Sequence, residues 1–247
     1  MALRVPLGQR ELRGPWWALL LTLAGVALFG ALGHWQWRRA EEKRALVAAF
    51  ASGGGTAEAL GARGTVALPR YREIGVRGRY DATHQFLLDN SSRGPAPGYE
   101  VLTPFELEDG RWLLVNRGWL PLVAGARARL PDIAFAAGDL RSLRGRLDEL
   151  PVAGIAAGRQ PPAPGGAWPR LTSFPRSAEL AAALGHALEP RQLLLAADVP
   201  DGYRREWQGA GSGFGPERHI AYAVQWWGLA LLALVLYLFM NLRKRPT

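Results

Sequence analysis

Residues 16–37 read WWALLLTLAGVALFGALGHWQW and residues 220–240 read IAYAVQWWGLALLALVLYLFM, and neither stretch holds an Asp, Glu, Lys or Arg. At 1.5 Å of rise per residue, about 20 helical residues make roughly 30 Å, the thickness of a bilayer's hydrocarbon core. The whole-chain averages, 49% hydrophobic residues and a mean hydropathy of −0.04, conceal these two runs. Between them lie about 180 residues of ordinary polarity, the size of one domain with its own core. The expected architecture is therefore membrane α+β: two terminal transmembrane helices flank one mostly antiparallel β domain, a small sheet or open barrel with a short packed helix.

The formal charge of +9 comes from 30 basic residues scattered against 21 acidic ones. Without a long basic run, the flanking cations suit anionic lipid head groups, and nucleic acid is not an expected partner. There is no cysteine, which excludes disulfides and thiolate metal sites. Arg4, Arg10 and Arg13 precede the first apolar run, but its length and its bracketing by Trp16, Trp17, Trp35 and Trp37 favour a retained anchor over a cleaved signal peptide. Cations stand on both sides of that helix, so the first span does not orient the chain. The Arg243-Lys244-Arg245 cluster directly after the second helix argues for a cytoplasmic tail, and with two spans the N-terminus shares that side.

The first helix is expected to run on through RRAEEKRALVAAF and to end at Ser52-Gly53-Gly54-Gly55, a flexible linker by composition. Ile74, Val76, Gly78 and Tyr80 alternate with polar residues, as do Val101 to Leu107 and Leu143 to Leu147, which reads as half-buried strands. Phe86 to Leu88, Trp112 to Val115 and Leu193 to Leu195 are short apolar runs suited to central strands, and Asp109-Gly110 reads as a hairpin turn. Pro104, lacking an N–H, is expected at an edge or bulge. Residues 159–169, RQPPAPGGAWP, are expected as a surface loop, and Ser177 to Leu184 as a short helix closed by Gly185.

No nucleophile elbow, P-loop or HExxH motif is present, and there are four histidines, at 34, 84, 186 and 219. A dispersed enzyme site would show itself as His84 or His186 beside a carboxylate in a cleft. Three clusters carry more information. Leu32, Trp35, Gln36, Arg39 and Lys43 fall within roughly 60° of one helix face, with His34 pointing away. An interfacial stripe explains the tryptophan and the cations, but the neutral amide of Gln36 gains little from lipid and calls for a protein partner. His219, Tyr222, Ala223 and Trp226, spaced i, i+3, i+4, i+7, share a face of the second membrane helix. One imidazole between two flat rings, with a small residue leaving a slot, suits a planar macrocycle whose iron the imidazole ligates; an ordinary aromatic belt is the bland reading. The third cluster, Leu113 to Pro121, is an apolar strand ending in Asn116, Arg117, Gly118 and Trp119. Arg117 either braces the strand exit or faces the bilayer or a partner together with Trp119.

These clusters, in this order between two terminal spans, resemble the surfeit-locus family of cytochrome oxidase assembly factors, and the likeness covers nearly the whole chain. The pattern L-G-x-W-Q-x-x-R-x-x-x-K stands as Leu32, Gly33, Trp35, Gln36, Arg39 and Lys43. The mid-domain patterns are Gly98-Tyr99-Glu100-Val101-Leu102-Thr103-Pro104 and Val115-Asn116-Arg117-Gly118-Trp119-Leu120-Pro121, and the closing H-x-x-Y-A-x-x-W is His219, Tyr222, Ala223 and Trp226. Glu217-Arg218 stand where the family often has asparagine just before that histidine.

The resemblance implies an assembly factor, not an enzyme. Its expected role is to bind or stabilise haem a transiently for insertion into the catalytic subunit of a haem-copper cytochrome c oxidase. It makes His219 the candidate ligand of the haem iron, with Tyr222 and Trp226 beside it, and Trp35, Gln36, Arg39, Lys43, Arg117 and Trp119 the partner or structural motif. The implied partners are that catalytic subunit, membrane lipid and the enzymes of haem a synthesis. The alternative is a cofactor-free membrane scaffold that holds an oxidase subunit during assembly. The short stretch before Trp16 leaves no room for a mitochondrial transit peptide, so a bacterial inner membrane is expected. The expected layout runs from a cytoplasmic N-terminus (1–15) and a first span (16–37) to a helix extension with linker (38–64). A periplasmic β-rich domain (65–218), a second span (219–240) and a basic cytoplasmic tail (241–247) follow.

Overall fold

The structure is a computed structural model that describes residues 2–7, 10–93, 96–122, 130–136, 138–153, 158–207, 209 and 215–244. The tail cation Arg245 lies outside them. The chain divides into two compact units, Met1–Leu46 with Gly213–Thr247, and Val47–Ser212.

The first unit begins with strands β1 (Ala2–Leu7) and β2 (Arg10–Pro15), followed by helix α1 (Trp16–Ser52), of which this unit holds the part up to Leu46. Helix α3 (Pro216–Asn241) passes directly into a last strand, Leu242–Lys244, which pairs antiparallel with β2. Both helices hold windows of mean hydropathy near 1.8 and 1.9 that are almost wholly exposed, with Leu21, Leu231 and Phe239 among the uncovered side chains. A soluble protein's core helix would bury such a surface; here only a bilayer can cover it, and the chain is a two-pass membrane protein. Gly33 and Ala40 are the buried positions of α1, and Ala223 and Tyr237 those of α3. A side chain on Gly33 would put its Cβ 2.4 Å from Trp227 Nε1, so this glycine lets the tryptophan ring reach the α1 backbone. Phe29 stacks on Trp226 (centroids 5.7 Å apart) and Trp37 leans on Trp227 (6.0 Å). The pairing of β2 with the C-terminal strand, which the sequence did not announce, brings both chain ends to one end of the helix pair.

The second unit is built on β3 (Glu58–Ala59), β4 (Glu73–Tyr80), β5 (Phe86–Arg93), β6 (Ala96–Leu107), β7 (Trp112–Pro121), β8 (Arg141–Asp148), β9 (Arg170–Thr172) and β10 (Gln192–Leu195). One helix, α2 (Ser177–Leu184), accompanies them. Pairings β4–β8, β8–β10, β10–β7, β7–β6 and β6–β4 close a ring of five strands. The domain is thus a closed small barrel, with β5 and β9 extending the sheet beyond β6 and β3 flanking β4. Its interior is filled from all five ring strands, by Ile74, Val76, Phe105, Leu113, Val115, Leu143, Leu147, Leu193 and Leu195. Leu180 of α2 seals a second cluster with Phe86, Leu88, Leu102 and Leu114 on one outer face.

The period-two pattern emerges as expected, with Leu143, Gly145 and Leu147 inward and Ser142 and Arg144 outward. Gly110 closes the β6–β7 hairpin at positive φ, and α2 ends on Gly185 in the left-handed conformation. Pro104 differs from expectation, since β6 is a central strand. Its carbonyl accepts from the Asp81 N–H, so its missing N–H would point to the same side, where β6 leaves β5 after Leu102 and takes up β4 at Phe105. No ladder partner needs a donor there, which is why a proline is tolerated. The Ser52–Gly55 segment also differs from a loose linker. Gly53 donates to the Ala49 carbonyl and accepts from Glu73 N–H, and a Cβ on it would stand 2.2 Å from the Tyr71 carbonyl. Its glycines serve close backbone approach; Arg146 also lies over the Phe50 ring and donates to its carbonyl at 2.5 Å.

Candidate functional site

Within the membrane unit, α3 opens with Gly215 as N-cap and Pro216 in its first turn, which places His219 at the start of the second membrane helix. Its Nδ1 lies 2.7 Å from Oε1 of Gln36 on α1. Two residues 183 positions apart, each singled out by its own cluster, are therefore direct partners, and Gln36 has the protein partner its amide calls for. The face of α1 that meets α3 carries Phe29, Gly33, Gln36, Trp37 and Ala40, at heptad-like spacing. Trp35 lies off this face, 56% exposed, and Arg39 is exposed and paired with Glu42. Lys43 is half-buried and also makes an interaction. The predicted stripe is thus divided: Gln36 faces α3, whereas Trp35 and Arg39 look outward.

On α3, His219 is half-buried and Tyr222 is 42% exposed, but Ala223 is fully buried. Full burial of Ala223 leaves the slot expected beside it closed, and the Trp226 ring stacks on Phe29. A flat ligand at this site would have to use the open side of His219 and Tyr222. Among the described residues no group of three or more His, Asp or Glu could hold a metal ion, and His219 is the candidate ligand that the sequence singles out at this end of the pair.

The Arg117 and Trp119 motif lies in the β domain, 3% and 4% exposed, which corrects the version in which both face a lipid or a partner. Arg117 Nε donates to the Asp201 carbonyl (2.6 Å) and Nη1 to Gln85 Oε1 (3.1 Å), while its carbon stands 3.8 Å from the Phe135 ring centre. Burial lowers its pKa from the ordinary guanidinium value, opposed by Tyr203, Tyr80 and Asp201. Gln85 Oε1 also accepts from Thr103 Oγ1 (2.8 Å), and Gln85 Nε2 donates to the carbonyls of Ala82 and Ile133. Asn116, wholly buried, donates to Glu100 and Gln192 and accepts from the Gly118 N–H. Backbone bonds from Tyr203 to Arg117 and between Trp119 and Arg204 then pin the strand leaving the barrel to β7. Gly118, at φ 111°, admits this strand: a Cβ there would meet the Arg204 carbonyl at 2.8 Å. Sequence reasoning missed Gln85 and Gln192. The signal was a lone amide at the head of each of two buried apolar runs, Gln85 before Phe86 and Gln192 before Leu193.

His84 Nδ1 stands 2.6 Å from Asp81 Oδ2, beside a cleft of about 610 Å³ lined by Thr83, Gln85, Ile133 and Trp168. The His84 ring packs edge-on against Trp168 and is not part of the lining, and Asp81 Oδ1 accepts the Thr83 and His84 N–H groups of its own turn. His186 stacks on Trp112 at 4.0 Å. These contacts describe a capped turn and a ring stack.

A family model described as SURF1 family matches residues 23–231, from within α1, across the whole barrel, to within α3. No curated protein matches the chain.

Proposed function

From the premise that this chain belongs to the SURF1 family, whose members are associated with cytochrome oxidase assembly, we propose that it holds haem a transiently at the His219 end of its helix pair. The haem would pass from there to the catalytic subunit of a haem-copper cytochrome c oxidase. The single observation that supports this reading is the His219–Gln36 contact: a histidine at the mouth of the membrane pair is held by a neutral amide of the other helix. A bound haem would supply an iron that an imidazole can ligate. His219 would provide that ligand and Tyr222, partly exposed one turn on, an aromatic surface beside it. Trp226 serves by fixing α3 against Phe29 rather than by touching the ligand. One ligand with open surroundings makes an exchangeable site, so transfer becomes favourable where the acceptor subunit offers a fuller pocket.

In this reading the membrane is a bacterial inner membrane and the barrel lies in the periplasm. Both termini are cytoplasmic, the β-domain side faces the oxidase subunit and the enzymes of haem a synthesis, and lipid covers the spans. The closed slot at Ala223 favours the second reading, a cofactor-free scaffold. One purification separates the two. Full-length wild type isolated in detergent from cells making haem a should carry haem absorbance, and His219→Ala should lose it. Equal absorbance in both would remove His219 as ligand, and a colourless wild type that still captures the catalytic subunit would establish the scaffold.

A further inference from the structure

The Gln36 amide turns its oxygen to the His219 ring at 2.7 Å, and because a carbonyl oxygen only accepts, this orientation puts the shared proton on Nδ1. A neutral imidazole has a single N–H, and its other nitrogen then carries an in-plane lone pair. We infer that Gln36 is a positioning residue that locks His219 in the Nδ1–H tautomer and turns Nε2 outward as the ring's only available ligand atom. The inference deepens the haem reading and rests on it for its purpose, but the tautomer itself exists without any haem.

Three observations support a positioning role over incidental helix glue. Gln36 is half-buried one turn from Gly33, against which the Trp227 ring of α3 packs, so its amide lies on the face of α1 that meets α3. The acceptor reaches the ring nitrogen itself, so the bond fixes both tautomer and ring plane, as outer partners of metal-bound histidines do. The acceptor is also neutral. A carboxylate at this place would raise the ligand's basicity and hold iron more tightly, whereas an amide orients the ring without adding charge, which suits a ligand that must let go.

The test uses full-length protein in detergent with ¹⁵N-labelled histidine, from cells unable to make haem a. The His219 signals are assigned by their loss in His219→Ala, and spectra are taken across a pH series so that the neutral-ring signals are read. Wild type should show Nδ1 protonated and Nε2 bare. Gln36→Leu should revert to the Nε2–H form that an unpartnered imidazole prefers, and Gln36→Glu, which keeps an acceptor oxygen, should retain the wild-type pattern. From haem-producing cells, Gln36→Leu should retain about 10-fold less haem or worse. Gln36→Glu should retain at least as much as wild type, with a more negative midpoint potential. A wild-type His219 in the Nε2–H form, or a tautomer unmoved in Gln36→Leu, would overturn the inference. If wild type proves colourless while the tautomer results hold, the haem reading fails and the Gln36 assignment stands.

Discussion

Tyr71 shows how one side chain ties the barrel's stability to pH. It is 1% exposed, its hydroxyl donates to the Gly209 carbonyl at 2.9 Å, and burial, with Asp148 adding, pushes its pKa up from 10.0 to about 12. Below pH 10 the phenol is neutral whether the chain is folded or not, and the hydrogen bond is fully present. Between pH 10 and about 12 the unfolded chain ionises and the folded one does not, so stability falls as pH rises through that window. Two pH units correspond to roughly 2–3 kcal/mol. Denaturant unfolding of the full-length protein across this range should show that decline, and Tyr71→Phe should flatten part of it. Tyr80 and Tyr203, also raised by burial, should leave the remainder. A slope unchanged in Tyr71→Phe would mean that the phenol is not the titrating group. Arg117 behaves differently at the same scale. Among the described residues no salt bridge holds its charge, and the Asp201 carbonyl, Gln85 and aromatic faces stabilise it, with the Asp201 carboxylate acting at longer range. An arginine closing an apolar strand was visible in the sequence, but which way it turned was not.

Strand elements were legible because alternation along 73–80 and 141–148 is the physical signature of one covered face. Which glycines in them matter was not legible, because the answer lies across the ladder. Gly145 pairs with Leu195, and a Cβ there would stand 2.2 Å from the Leu194 carbonyl of β10. At Gly75, on the neighbouring strand, the nearest atom to such a Cβ is 3.9 Å away. Gly145→Ala must therefore push β8 off β10 and is expected to cost more than about 2 kcal/mol, whereas Gly75→Ala should stay within about 0.5 kcal/mol. Thermal midpoints of the two variants, measured side by side, check this, and comparable midpoints would show that the barrel seam yields more readily than its geometry implies. Helix α1 illustrates the same division. Its continuation to Ser52 follows from an unbroken run of good helix formers, but the face it presents to α3 is set by Gly33 and by Trp227, 194 residues further on.

For the whole molecule, the pairing of β2 with the strand after α3 constrains topology, since Leu12 opposes Leu242 and Arg10 opposes Lys244. Both ends of the chain must then emerge on one side of the bilayer. In the proposed orientation that side is the cytoplasmic one, in keeping with the positive-inside tendency of Arg10, Arg13 and Arg243. A phosphatase fused after Thr247 should be inactive and a cytoplasm-dependent fluorescent reporter bright. The reverse pattern would turn the protein over and move the barrel to the other compartment.

The sequence by itself determined that there are two spans, that a β domain lies between them, and that His219 and Gln36 deserve notice. Hydrophobic run length, two-residue alternation and chemically odd residues are local properties of the chain. Only the tertiary structure decided that the sheet closes into a five-stranded ring, that Arg117 and Trp119 turn inward, that the slot at Ala223 is shut, and that Gln36 meets His219. Each of these is a contact between segments distant in sequence. Such a contact depends on how two surfaces fit and which polar groups are left to satisfy one another, a balance that no single stretch of chain records.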